Sequence, residues 1–393
     1  MLVAAERHSN NKGYRWHPGK CVILNAPETH DQLQIYNRPI SIDTQFTYLG
    51  IPFDGNGIDK LELVTRLNKK TSQTMNMLRK IGTHQYGFGL GPALRIYRTF
   101  VRPVLEYGLA ITTLTENHME ILEKAQTRCI RMAINIISRR PLPTIVQKHM
   151  ADLQSMKVRA DILRFKFVMR ALHGPQSTLL HSLLSSFLEP REGEPYCDEE
   201  WKWLKKGKED SPALYQDFHD LTRQLPQPRD PMKFLITFTK DQEMQDRRAQ
   251  FPAVARARSQ RLWDPILYLP ATSVQRHRLI KWRCHWLPPF PSPKCRCGEE
   301  KVKRNHYLEC PRVEFMIQHL EQCLGRRLLA KKDSETHLID FIVNMLPRSS
   351  DGLKQGHWRY TWPGLLNTLR DIDVACHPEA EFEQETPARF QQD

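Results

Sequence analysis

No apolar run in the sequence approaches the ~20 residues that a bilayer-crossing helix needs, so neither an integral membrane protein nor a membrane partner is expected. The opening residues, MLVAAERHSNN, reach two charges by the seventh position and lack the apolar stretch of a secretory signal. Cysteine is sparse, nine in 393 residues at irregular intervals, which does not make a secreted disulfide scaffold. An intracellular setting, nuclear or cytoplasmic, is the expectation. The signatures G-x-S-x-G, H-E-x-x-H and Tyr-x-Asp-Asp are all missing, which removes the nucleophile elbow, the zincin helix and the polymerase aspartate hairpin. Acidic residues are in deficit too: 44 Asp and Glu face 58 Lys and Arg, for a net charge of +14. Such a surplus without membrane features favours a polyanionic partner, nucleic acid above all.

The positive charge is clustered. Between Arg276 and Arg304 nine Lys and Arg stand against two acids, which is half of the net charge. From Asp371 to Asp393 the sign reverses, with seven acids and one Arg, and this stretch reads as a disordered acidic tail.

Patterning divides the chain into five parts. Residues 1–53 read as short strands and turns (Cys21–Leu24, Gln34–Tyr36, Phe46–Ile51), too few for an independent sheet and therefore the edge of something larger. Residues 54–173 take helical periodicity, with Leu61, Val64, Leu67, Met75 and Leu78 on one face, then Leu94, Tyr97 and Val101. Met119, Leu122, Cys129 and Ile136 make the next face, followed by Leu153, Met156, Ala160, Leu163 and Phe167. Pro92 suits a first helical turn, whereas Pro103 should kink its helix. Residues 174–262 are a Pro-rich, charged connector with short helices. Residues 263–330 hold a basic helix and a Cys/His segment, and residues 331–393 further helix and the tail. The fold class is mainly α, a helical bundle with a small β portion at the N-terminus.

The sharpest chemical signal is Cys295-x-Cys297-x8-His306-x3-Cys310. Three thiols and an imidazole are the ligand set of tetrahedral Zn²⁺, and four protein ligands would make the site structural, with no open position. The alternative is chance proximity of Cys and His on a basic surface, and the C-x-C spacing alone does not separate the two. Beside it lies the basic helix Arg276-His-Arg278-Leu-Ile-Lys281-Trp-Arg283. Arg276, Arg278, Lys281 and Arg283 are candidate phosphate contacts for RNA or DNA without sequence preference. Trp282 and Trp286 could stack on bases, but their i, i+4 spacing beside Leu279 suits a buried face, and burial is the reading taken. Gly87-Phe-Gly-Leu-Gly-Pro92 imitates a phosphate cradle but lacks the Lys-Ser/Thr of a P-loop, and reads as a helix-connecting turn. The acidic pairs Asp371/Asp373 and Asp198–Glu200 read as solvated charge.

Taken in order, these segments resemble the C-terminal portion of a reverse transcriptase, an RNA-directed DNA polymerase, from a non-LTR (LINE-type) retrotransposon. Gly13–Asn25, with Lys20, resembles the segment after the catalytic hairpin, and Phe46-Thr-Tyr48-Leu49-Gly50 the primer-grip turn. Ile96-Tyr-Arg-Thr-Phe-Val-Arg-Pro-Val-Leu-Glu-Tyr-Gly108 and Leu122–Arg131 resemble the thumb helices, and Arg278–Arg283 leading into the Cys/His segment resembles the terminal zinc knuckle. The resemblance implies a palm-edge remnant at 1–53, a thumb-like bundle, and a structural Zn²⁺ on Cys295, Cys297, His306 and Cys310. It also implies that Lys20, Tyr48, Leu49 and Gly50 touch nucleic acid. The family's palm aspartates, which hold two Mg²⁺, are expected upstream of Met1. Mg²⁺ is thus expected only for an intact polymerase, and no catalytic residue is assigned here. Two functions compete: a nucleic-acid-binding truncated polymerase that cannot extend a primer, and one whose activity is completed in trans by a separate palm. A transposon relic without a role is the third possibility.

Overall fold

Two tight turns organise the N-terminal region in the computed structural model, which describes residues 2–24, 33–84, 86–134, 144–172, 174–175, 177–178, 231–291 and 294–377. Strands β2 (Gln34–Ile35) and β3 (Arg38–Pro39) pair antiparallel across Tyr36-Asn37, and β5 (Gln45–Tyr48) and β6 (Ile51–Asp54) across Leu49-Gly50. All four turn residues have positive φ, 52° and 57° in the first turn and 49° and 82° in the second. This is the backbone that matches the twist of a two-residue hairpin. Phe46–Ile51 is therefore two strands and not the single strand expected, because Leu49 adopts a left-handed conformation that its side chain does not advertise. Strand β7 (Gly57–Ile58) extends β6, while β1 (Val22–Ile23) pairs in parallel with β4 (Ser41–Ile42). Helix α1 (Leu2–Lys12) docks on the first turn, where Glu6 accepts from the Tyr36 amide.

The rest of the described chain is helical: α2 (Lys60–Lys80), α3 (Leu90–Ile96), α4 (Arg102–Leu105), α5 (Glu116–Ile134), α6 (Thr144–Met150) and α7 (Met156–Leu172) come first. They are followed by α8 (Pro231–Gln250), α9 (Pro252–Ala255), α10 (Ser273–Arg283), α11 (Glu314–Leu329), α12 (Leu338–Met345), α13 (Ser350–Leu353) and α14 (Trp358–Ala375). None is long and apolar enough to cross a membrane. A π turn over Tyr97–Val101 joins α3 to α4, just before Pro103.

Contacts divide the chain into two compact units. The first comprises Met1–Gln73, Arg102–Ala125 and Arg159–Gln216, and the second Thr74–Val101, Gln126–Val158 and Asp217–Asp393. These limits cut across the expected boundaries at 53, 173, 262 and 330, because α2, α5 and α7 each contribute to both units.

The apolar faces shift in two places. Leu61 is exposed and Leu63 buried in its stead, and in α7 the buried set continues through Ile162, Phe165, Val168 and Met169, leaving Leu163 and Phe167 half-buried. Ile136, Asp198–Glu200, most of the connector and the tail beyond His377 lie outside the described residues. What is described of the connector includes a 20-residue helix, α8, opened by Pro231. Its Glu243 accepts from the Ser155 amide, and Arg247 donates to the Leu153 carbonyl (both 2.8 Å). Asp371 and Asp373, expected in the acidic tail, belong to α14. That helix is held by Leu365, Leu369 and Ile372 in the core of the second unit, against α10 and α11.

Candidate metal centre and basic elements

The Cys/His segment folds on itself through two backbone hydrogen bonds, Gly298 N–H to Cys295 C=O and Cys295 N–H to Glu299 C=O (2.9 and 2.8 Å). Gly298 sits at φ 103°, which favours glycine and permits the turn after the second thiol. A 3₁₀ turn over Arg304–Leu308 then carries His306 back toward the thiols. Cys295 Sγ lies 3.6 Å from Cys310 Sγ, and Cys297 Sγ lies 3.4 Å from His306 Nε2. All four ligand atoms fall within 4.8 Å of one another. Tetrahedral Zn²⁺ with Zn–S bonds of ~2.3 Å places neighbouring ligands ~3.8 Å apart, so the cluster has the size and donor set to hold a metal ion. Burial pushes the Cys295 thiol up to about 12 and raises that of Cys310. A bound cation would have to draw off those protons, as metal-thiolate chemistry does.

The cluster is not an isolated loop. Cys295, Val302, Tyr307 and Cys310 are all buried in the core of the second unit. The Arg296 amide donates to the Ala375 carbonyl (2.9 Å), tying the knuckle to the end of α14. A second group of potential ligands, Asp373, Cys376 and His377, lies there. Asp373 already faces Arg278 at 2.9 Å and Lys281 at 3.8 Å, so its charge is taken.

The basic helix α10 is well capped, with Thr272 and Gln275 forming a capping box. Its cations do not form a free surface. Arg283 is 2% exposed and pairs with Asp264 at 2.8 Å, and Arg278 is 3% exposed and pairs with Asp373. Arg276 gives its guanidinium to the carbonyls of Ile266 and Leu269 (2.6 and 2.7 Å). Of the four expected phosphate contacts only Lys281 keeps a partly exposed ammonium. The reason is that three carboxylates far along the chain, Asp264, Asp340 and Asp373, converge on this helix. Asp340 accepts from Trp282 Nε1 and from Arg304 (both 2.9 Å), and the Arg304 guanidinium lies 3.7 Å over the Trp282 ring. Trp282 is fully buried and Trp286 packs against the same core. The cations left exposed around the Cys/His segment include Lys294, Arg296, Lys301, Lys303 and Arg312.

Sequence reasoning missed the acids, yet a signal existed. Asp340 stands inside the apolar run Leu338-Ile-Asp-Phe-Ile-Val343, and Asp373 between Ile372 and Val374. An acid in an otherwise apolar helix stripe calls for a buried cation.

In the first unit the hairpin turn meets the segment Arg102–Gly108. The Tyr107 hydroxyl donates to the Leu49 carbonyl. Glu106 is held by Arg102 (2.8 Å) and by both nitrogens of Arg159 (2.6 and 3.0 Å). Gly108, at φ 82°, lets the chain turn where a Cβ would come 2.9 Å from Ile51 Cδ1. Tyr48 and Leu49 are left 59% and 73% exposed. Lys20 is exposed at the end of the 3₁₀ turn Pro18–Lys20 and has no hydrogen bond to the hairpin. Gly108→Ala should lower stability by ~1–2 kcal/mol through the left-handed backbone. Tyr107→Phe should cost ~1 kcal/mol through the lost hydrogen bond. Chemical denaturation, with hydrogen exchange at residues 45–54, reads both.

No family model, no curated protein and no solved structure matches this chain.

Proposed function

We propose that this chain is a nucleic-acid-binding portion of a non-LTR retrotransposon reverse transcriptase, holding a primer–template without extending it, with Zn²⁺ on Cys295, Cys297, His306 and Cys310. The observation that carries the reading is the contact between Leu49 and Tyr107. Two stretches that separately resemble a primer-grip turn and a thumb helix, 58 residues apart, are joined by one hydrogen bond. The residues of the second stretch are spent on fixing the first: Glu106 is neutralised, Tyr107 tethers the turn, and Gly108 makes room for Ile51. Such tethering keeps Tyr48 and Leu49 exposed on a rigid support, which suits a surface that must place a strand end. The metal would close the knuckle and add no chemistry, since its four protein ligands leave no open position. In this reading the four cations that the structure buries or commits around α10 support the fold, and phosphate contacts come from elsewhere on the protein.

Nucleotidyl transfer needs carboxylates that hold metal ions against the attacking and departing oxygens. Asp373 is bound to Arg278 and cannot serve. Primer extension on an RNA template with Mg²⁺ or Mn²⁺ should therefore yield no product from this chain, while the same primer–template is retained in a filter-binding assay. Extension abolished by mutating an acid of this chain would overturn the reading, and so would failure of the folded protein to retain the duplex.

A further inference from the structure

A polar cavity of about 780 Å³ lies within the second unit, between the end of α8, the segment after α9 and the loops flanking α12. Five arginines line it: Arg248, Arg256, Arg258, Arg304 and Arg348. Only Arg304 belongs to the basic cluster evident in the sequence, and Arg256-Ala-Arg258 falls in the stretch read as a connector.

The acids of the cavity do not balance these charges. Asp340 is engaged by Arg304 and Trp282. Asp333 and Glu335 are exposed at the rim, and Asp333 accepts from the Glu335 amide of its own turn (3.4 Å). Asp264, whose charge also reaches Arg258, is bound to Arg283. Among the described residues Arg248, Arg256, Arg258 and Arg348 form no ion pair. Arg248 donates to the Val254 and Ala257 carbonyls and Arg258 to that of Leu346, while Arg348 reaches the Gln260 side chain and Arg256 lies against His285. Arg258 is the telling one. It is 8% exposed, and its Nε–H has no acceptor at all. A buried guanidinium with an orphaned donor and no ion-pair partner among the described residues is costly, and an anion entering from the cavity would satisfy both needs.

We propose that this cavity binds a phosphate group of an RNA or DNA strand, which rests on the nucleic-acid-binding function proposed above and supplies contacts that α10 does not. Guanidinium forks match phosphate oxygens. The volume is in the range of ligand sites and exceeds what a lone phosphate fills. No Phe, Tyr or Trp lines the walls, so there is no platform for stacking a base. The contact is with the backbone and carries no sequence preference.

The test uses the full chain loaded with zinc and a fluorescent 20-nucleotide RNA or DNA, with affinity read by anisotropy across a salt series. Arg256→Ala and Arg348→Ala are combined, because both side chains are exposed at the mouth and their loss should leave the melting temperature unchanged. The slope of log K against log salt should become shallower by about 0.7–0.9, the value for the one phosphate contact the cavity supplies. An unchanged slope in a folded double variant would overturn the cavity assignment and leave the nucleic-acid-binding function standing. A second arm measures the melting temperature with inorganic phosphate or AMP. If neither protein binds the oligonucleotide, while these small anions stabilise the wild type and not the variant, the polynucleotide occupant is overturned together with the nucleic-acid-binding function.

Discussion

Replacing Arg283 by Ala should cost ~3–5 kcal/mol of stability, because it leaves Asp264 buried and charged without its ion-pair partner. The pair is nearly inaccessible, 2% and 4% exposed at its two side chains, and Arg283 also donates to Asn344 (2.7 Å). Asp264 in addition accepts the Ile266 amide as the cap of its 3₁₀ turn. Arg278→Ala should act in the same direction through Asp373, whose side chain is 9% exposed. The paired replacement Arg283→Met with Asp264→Leu should recover much of the loss, since removing both charges spares the desolvation that a lone charge suffers. Urea denaturation of the three variants decides the matter. A change within ~0.5 kcal/mol, the usual surface value, would mean that α10 presents its arginines to solvent after all. Charge reversal of Arg278 and Arg283 is expected to unfold the second unit, so weakened nucleic-acid binding in such a variant would say nothing about phosphate contacts.

Loss of the metal should have the other large effect. Structural zinc in small domains supplies roughly 10–16 kcal/mol of apparent binding energy, and here two of the four candidate ligands, Cys295 and Cys310, sit in the core of the second unit. Purified protein should hold one zinc per chain by elemental analysis. Cys297→Ser should abolish it, and this residue is chosen because Cys297 is only half-buried, so that the substitution removes a ligand without opening a core cavity. Chelation should speed hydrogen exchange across residues 294–310. The effect should spread to the end of α14, which bonds to Arg296. The hairpin over 45–54, in the first unit, should keep its protection. Full zinc occupancy in Cys297→Ser, or exchange unaltered by a chelator, would remove the metal from the account.

What the sequence made legible was local. The Cys/His cluster could be read because its four side chains lie within one short stretch, so residue type and spacing carry most of the geometry. The amphipathic helices can be read too, although the pattern puts Leu61 on the buried face and makes Leu163 a core position where the structure leaves it half-buried, since the period tolerates a shift of one or two residues. Arg278 and Arg283 could not be read, because an arginine at a helix position looks the same free or buried. Their partners stand 95 and 19 residues away in sequence, and only the tertiary fold brings them together. The hairpin was half legible: Gly50 announced a turn, but nothing in Leu49 announced a left-handed backbone. The arginine cavity was missed because its walls come from α8, the segment after α9 and the loops around α12, none of which carries a motif alone.

The proposed grip on a primer end is most directly tested by photo-crosslinking. A primer carrying a photoreactive base at its 3′ end, annealed to an RNA template, is irradiated with the zinc-loaded protein and the adduct is located by mass spectrometry. The account places the adduct on the peptide containing Tyr48 and Leu49, where both side chains stand exposed, and expects it to diminish in Tyr48→Ala. An adduct elsewhere, with residues 45–51 untouched while the duplex is bound, would contradict it.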